Sequence, residues 1–339
     1  MTHAIDIQGL RKSFGAKVAV DNLDLTLPTG KLYGFIGPNG AGKTTTIRMI
    51  LSILFPDAGK LSVLGKASAS DSKDRIGYLP EERGVYRKMK VAAFLDHMGK
   101  LKGMGGPPLK KTIHDWLERV ALADVAGKRC EELSKGMQQK VQFIATVMHE
   151  PELLILDEPF SGLDPVNMRL LRELIREQHE QGRTVIFSTH VMFQAEQLCE
   201  HVVMINSGKK VLDDDLAAIR ARHEPTEIEF EPLDIDDNPA PLSGLSQIAG
   251  VRKGEQGWEA TIADGVPPSE ALRAIVGAAA VAKIELKRPT LEDIFIDKVL
   301  EQGSANIDTE ALRASLRAGA NAAEGADAEA VAAGEGVTS

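Results

Sequence analysis

The chain has 339 residues, enough for about two average domains. Apolar residues make up 43% and charged residues 26%, the mix of a soluble globular protein with a sizeable core. With 40 Lys plus Arg against 49 Asp plus Glu, the net charge is -9, which argues against a broad basic surface for nucleic acid or anionic lipid.

No apolar run reaches the roughly 18 to 20 residues that cross a bilayer. The opening Met1-Thr2-His3-Ala4-Ile5-Asp6 lacks the basic and apolar regions of a signal peptide. Cys130 and Cys199 have no metal-site spacing and read as small, semi-buried apolar residues in a reducing cytosol.

Residues 4 to about 220 alternate apolar strand-like runs with amphipathic stretches, the pattern of an α/β domain. Within it, Leu32–Ile36 reads as a buried strand, followed by Gly37-Pro38-Asn39-Gly40-Ala41-Gly42-Lys43-Thr44-Thr45. An apolar helix pattern at Ile47, Ile50, Leu51 and Leu54 comes next. This is the G-x-x-x-x-G-K-T phosphate loop in its strand–loop–helix setting. Glycines let backbone N–H groups converge on phosphate oxygens, and the helix N-terminus adds partial positive charge. Lys43 can reach the β and γ phosphates of a nucleotide, and the Thr44 hydroxyl can ligate Mg²⁺. A second apolar strand, Leu153–Leu156, ends in Asp157-Glu158-Pro159. Beside a phosphate loop, Asp157 can hold Mg²⁺ and Glu158 can polarise an attacking water. Standing alone, the same residues would read as a strand ending in a solvated acidic turn.

Residues 223–302 read as a small α+β domain. Strands are expected at Thr226–Phe230, Trp258–Ala263 and Val281–Leu286, and helices at Ser269–Ala279 and Thr290–Gln302. Ser269 and Thr290, each followed by acidic residues, are the expected N-caps. Asp234–Gly244 reads as a loop. In residues 303–339, twelve of 37 are Ala and five are Gly. Such a segment cannot bury enough apolar surface to offset its ordering entropy, so a disordered tail is expected, with transient helix around Thr309–Arg317.

With both strands in place, the chain resembles the ATP-binding subunits of ABC transporters. Leu133-Ser134-Lys135-Gly136-Met137-Gln138-Gln139-Lys140 resembles their signature motif, although Lys135 and Met137 replace the usual Gly and Gln. Ser161-Gly162-Leu163-Asp164 is similar to the D-loop, and His190, after Thr184–Thr189, to the switch histidine. Phe14 stands where the family stacks an aromatic on adenine, a core aromatic being the rival reading. Glu81, in Pro80-Glu81-Glu82, occupies a position where the family usually has Gln; a carboxylate there could also ligate Mg²⁺. Lys135 reads as solvated. Arg288–Phe295 resembles the ending of ATPases from drug- and sodium-exporter systems.

The resemblance implies a P-loop NTPase core over 1–222 with a mixed sheet and a helical subdomain at about 85–150. It implies ATP and Mg²⁺ as ligands. Ser134, Gly136 and Asp164 would serve a nucleotide bound to another copy, so a homodimer is expected. An integral membrane permease subunit would carry the transport path, with this chain at the cytoplasmic face of the membrane. An exporter is the expected system. A soluble ATPase of this type acting in DNA repair or translation is the alternative, opposed by the acidic balance and by the uninterrupted spacing from phosphate loop to signature.

Overall fold

A computed structural model describes residues 2–82, 84–223, 225–233, 242, 244–254 and 257–301. Most of the expected 234–244 loop and all of the expected tail lie outside the described residues. Two compact units divide the chain. One runs to Leu216 and resumes at Phe295; the other is Ala217–Ile294. The last helix, Leu291–Glu301, is therefore shared between them.

The first unit opens with long antiparallel strands β1 (His3–Phe14) and β2 (Lys17–Pro28). They form a sheet with β4 (Ala58–Val63) in the order β2-β1-β4. The central sheet uses β3 (Leu32–Ile36), β5 (Ile76–Leu79), β6 (Leu153–Asp157), β7 (Thr184–Thr189), β8 (His201–Asn206) and β9 (Lys209–Asp215). Its order is β5-β6-β7-β3-β8-β9, parallel except for β9, so the sheet is mixed. Every residue of β3, β6 and β7 is buried. That is why these strands read as continuous apolar runs with little alternation. Register sets Asp157 opposite Ser188 and Ile36 opposite Thr189. The ends of β6, β7 and β3 thereby share one edge, the usual ligand position in an open α/β sheet.

Helix α1 (Lys43–Ile50) follows the phosphate loop. Helices α2 (Val91–Leu101), α3 (Gly106–Arg119) and α4 (Lys135–Val147) make up the helical region. α5 (Pro165–Glu180) and α6 (Met192–Leu198) flank β7, and α7 is Leu216–Arg222. Both cysteines are more buried than expected: Cys130 and Cys199 are free thiols, 0% and 8% exposed.

The second unit holds an antiparallel sheet in the order β11-β12-β10-β13. The strands are β10 (Glu227–Pro232), β11 (Ile248–Lys253), β12 (Trp258–Ile262) and β13 (Val281–Lys287), with helix α8 at Pro268–Ala278. Phe230, Ala260, Ala271 and Ile275 belong to its core. β11 was not expected: a register shift between Ile248 and Gly250 breaks its alternation, as at a β-bulge. The α8 cap also differs from expectation. Pro267 is the N-cap and Pro268 takes the first helical position, where its fixed φ and missing N–H cost nothing. Ser269 is therefore not the cap. Thr290 does cap α9 (Leu291–Glu301): its Oγ1 accepts from Asp293 N–H, and Asp293 Oδ2 accepts from Thr290 N–H.

His201, at the start of β8, ties the β8–β9 hairpin. Its Nε2 meets Asp213 Oδ1 at 2.8 Å and its Nδ1 meets Asp215 Oδ1 at 2.9 Å. Burial disfavours the charged ring, but the two carboxylates outweigh it and lift the pKa above the ordinary 6.5. A raised folded-state pKa makes this contribution to stability full below about pH 6.5 and lost as pH rises through the folded value. The expected result is a Tm advantage over His201→Gln that is largest at about pH 6 and shrinks toward about pH 9. A pH-independent gap in thermal denaturation would contradict the charged pairing.

Candidate functional site

The loop between β3 and α1 winds tightly. Gly37 has φ 153 and Gly42 φ 110. A Cβ on Gly37 would stand 2.0 Å from the Ile205 carbonyl oxygen, and one on Gly42 2.4 Å from that of Ala19. Both positions combine a left-handed backbone with no room for a side chain, so only glycine fits. Ala41 is buried; its N–H donates to Pro38 O at 3.1 Å, and its carbonyl accepts from Gly208 N–H at 2.8 Å. The loop is therefore braced from inside and from the β8–β9 turn.

Lys43 opens α1 and is 6% exposed. Its Nζ donates to Gly37 O at 2.7 Å and Pro38 O at 3.2 Å, with Glu158 Oε1 4.0 Å away. Burial pulls its pKa down, opposed by Glu158, Asp157 and Glu81. This is a cation held at the mouth of a helix N-terminus, the ingredients of an anion site.

Asp157 ends β6 and is 1% exposed. Thr44 Oγ1 donates to its Oδ1 at 3.4 Å, and Ser188 Oγ donates to the same oxygen. Burial pushes the Asp157 carboxyl up, against the pull of Ser188 and Thr44. Glu158 follows in the left-handed region at φ 47, which turns the chain sharply out of the strand. A non-glycine residue there stores strain of order 1–3 kcal/mol, held by its surroundings. Glu158 N–H is anchored on Ser188, to O at 3.1 Å and Oγ at 3.2 Å. Its side chain lies 2.8 Å from His190 Nδ1.

His190 is held by that contact. Its hydrogen bond to Glu158 lifts the pKa above 6.5, against burial, and the Glu158 charge adds to the lift. The chain is therefore expected to show His190 titrating above its ordinary value by NMR, and Glu158→Gln should bring that midpoint down. An unmoved midpoint in Glu158→Gln would show that the contact does not hold in solution.

These residues surround one cavity of about 280 Å³. It brings together Phe14, Asn39, Gly40, Gly42, Lys43, Thr44, Thr45, Glu81 and Glu158. Asp157 and His190 join through their bonds to Thr44 and Glu158. Phe14 is 49% exposed, which overturns the core reading; Lys12 Nζ lies 5.7 Å from the centre of its ring.

Ser134, Gly136 and Asp164 are not in this lining. Ser134 is exposed and caps α4, its Oγ accepting from Met137 N–H at 3.3 Å. Gly136 lies against the start of α5, where an added Cβ would meet Asn167 Nδ2 at 2.8 Å. Asp164 caps α5, accepting from Asn167 N–H at 3.0 Å. Lys135 is exposed, as expected.

Three supporting residues escaped sequence reasoning. Ser188 bridges Asp157 and Glu158; its signal was a hydroxyl at the end of an otherwise apolar strand. Gln139 and Gln142, both buried on α4, hold neighbouring loops. Gln139 Nε2 donates to Pro159 O at 3.0 Å, and Gln142 Oε1 accepts from Gly84 N–H at 3.3 Å. Two glutamines on the buried face of an amphipathic helix were the available signal.

Comparison with known proteins follows the same lines. The family described as "ABC transporter" matches residues 20–161, and "ATP-binding protein DrrA1-3-like, C-terminal domain" matches residues 215–299. An uncharacterized ABC transporter ATP-binding protein of Bacillus subtilis is 42% identical over 295 residues, covering 87% of this chain and 98% of that protein. The Nod factor export ATP-binding protein I of a Rhizobium species is 33% identical over 297 residues, covering 86% and 96%. A solved ATP-binding subunit of an ABC transporter is similar with TM-score 0.60 and 28% identity, over 65% of this chain and 92% of that one.

Proposed function

The chain belongs to the ATP-binding subunits of ABC transporters, and on that premise we propose that it drives export through a separate membrane subunit. It binds and hydrolyses ATP, as the family does to power transport. The observation that carries the site reading is the convergence of Lys43, the Thr44–Asp157 pair and the Glu158–His190 pair on one cavity.

In this reading the phosphate loop and Lys43 bind the β and γ phosphates, and Phe14 stacks on the base. Glu158 accepts a proton from the water that attacks the γ phosphorus, and His190 orients that carboxylate through its 2.8 Å contact. Ser188 holds Asp157 and the Glu158 backbone in register. Thr44 and Asp157 offer a hydroxyl and a carboxylate, hard oxygen donors that suit Mg²⁺. The buried Asp157 carboxylate, whose pKa burial raises, favours a cation beside it. Bound there, Mg²⁺ would neutralise charge on the phosphate oxygens. Glu81 lines the same cavity and is the further candidate ligand.

Ser134 and Gly136 stand outside the cavity of their own chain, which supports a homodimer in which each copy completes the other's site. The Ser134 Oγ accepts within its own helix, leaving its O–H to donate across the interface. ATP then favours the closed dimer, and hydrolysis removes the link between the copies.

A groove of about 600 Å³ supports docking of a permease. Its lining includes Tyr78, Pro80, Gly84 and Phe94, next to the Glu81 segment. Exposed Tyr86 packs edge-on against Phe94 at 5.9 Å. Among the described residues no helix is long and apolar enough to cross a membrane, so the transport path falls to that partner. The chain would then sit at the cytoplasmic face. The likeness to a Nod factor export protein favours export.

The test is a mild-detergent pull-down of Glu158→Gln with ATP from native membranes. A polytopic membrane protein in stoichiometric amount is expected. Ribosomal or DNA-repair proteins alone would leave the ATPase standing and overturn the transport role.

A further inference from the structure

A second cavity, of about 480 Å³, lies in the first unit and shares no lining residue with the phosphate-loop cavity. Trp116 and Arg119 of α3 line it, with His149 just past α4, Gln178 of α5, and Arg183 before β7. The proposed ATP chemistry uses none of these side chains.

Two buried acceptors in this wall lack hydrogen-bond partners, and one cation lacks an ion pair. Gln178 is 1% exposed, yet its Oε1 has no hydrogen-bond partner among the described residues. His149 Nδ1 is buried in the same condition. Its Nε2 lies 3.3 Å from the Ile76 carbonyl and must carry the proton to bond there, which leaves Nδ1 as a lone-pair acceptor. Burial keeps this ring neutral, its pKa pushed down to about 4, with Lys102 and Arg183 adding to the effect. Arg183 is half-buried and makes no ion pair among the described residues, although the Glu150 carboxylate in the same lining acts on its charge. Arg119 differs: it is paired with Glu177 and stacks over Trp116 at 4.9 Å.

Buried acceptors without donors are rare in folded proteins, and each one calls for an explanation. Water could donate to Gln178 and His149 but would leave Arg183 without an ion-pair partner, Glu150 of the same lining acting on it from beyond ion-pair distance. One ligand meets all three needs if it joins an anionic group to hydroxyl donors. A cavity of this size suits a small molecule.

We propose that this cavity binds a small polyhydroxy anion, with its carboxylate or phosphate on Arg183 and its hydroxyls donating to Gln178 and His149. The site is separate from nucleotide chemistry and stands independently of the transport reading. His149 also lines the groove assigned to the permease, and its Nε2 contacts β5 there. An occupant would thus be felt at that groove, which suits a regulatory ligand.

The test uses the full chain with its phosphate loop saturated by ADP and Mg²⁺. Gluconate and ribose 5-phosphate are titrated by calorimetry. At least one should bind one-to-one with Kd at or below about 1 mM, and which one binds separates carboxylate from phosphate. Acetate and inorganic phosphate, lacking the donors, should bind at least about tenfold more weakly. Gln178→Leu and Arg183→Gln should each weaken binding at least about tenfold while basal ATP hydrolysis is unchanged. If a variant does not fold, the His149 Nδ1 resonance of the unaltered chain serves instead; it should shift on binding. Failure of both polyhydroxy anions to bind at about 10 mM would overturn the proposal. So would binding that leaves His149 unmoved or survives both substitutions.

Discussion

Glu158→Gln should lower ATP turnover roughly 10²- to 10⁴-fold, the range for loss of a general base, while nucleotide binding persists. The amide is nearly isosteric with the carboxylate, so the αL turn at Glu158 and its N–H bonds to Ser188 are kept. What disappears is the negative charge beside Lys43, at 4.0 Å, and beside His190, at 2.8 Å. An amide cannot take the proton of an attacking water. Removing a charge from the cavity should if anything favour the anionic nucleotide, so the proposed ATP-bound dimer should last longer. Single-turnover hydrolysis measures the first effect, and sizing with ATP the second. Near-normal turnover in this variant would remove Glu158 from the proposed role.

Lys43→Ala should weaken ATP binding itself. A hydrogen bond from a charged donor contributes about 1.5–3 kcal/mol, or roughly 10- to 100-fold in affinity. Lys43 is also the cation that compensates Asp157 and Glu158 in a buried setting. Its loss leaves two buried carboxylates facing incoming phosphates, which should place the effect at the upper end of that range. Calorimetric titration with ATP and Mg²⁺ reads it directly. Tight binding by Lys43→Ala would contradict the phosphate-loop reading.

Much of this site was legible because its chemistry is local. The loop Gly37–Thr45 carries its own backbone requirement: at Gly37 and Gly42 a side chain would collide with neighbouring carbonyls. The strands β3, β6 and β7 stood out because burial on both faces demands unbroken apolar runs. Thr290 was recognisable as a cap because its partner Asp293 is three residues away. Where local signals competed, the sequence misled. Ser269 resembled a cap, but a proline pair upstream started the helix earlier. β11 escaped notice because its bulge broke the alternation that identifies a strand.

The sequence by itself determined that this chain holds a phosphate loop, a carboxylate pair at a strand end and a signature-like helix start. Each is specified by residues close together in the chain. Only the tertiary structure decided which of them meet. Parallel register sets Ser188 opposite Asp157, so one hydroxyl serves the Asp157 carboxylate and the Glu158 backbone N–H, and brings Glu158 to His190 across 32 positions. The fold also keeps Ser134 and Gly136 out of their own chain's cavity, and it leaves Gln178 Oε1 and His149 Nδ1 without hydrogen-bond partners around a second one. Such meetings depend on strand register and helix packing between distant segments. A shift of one residue would turn every side chain of a strand to the opposite face, and no local motif records that choice.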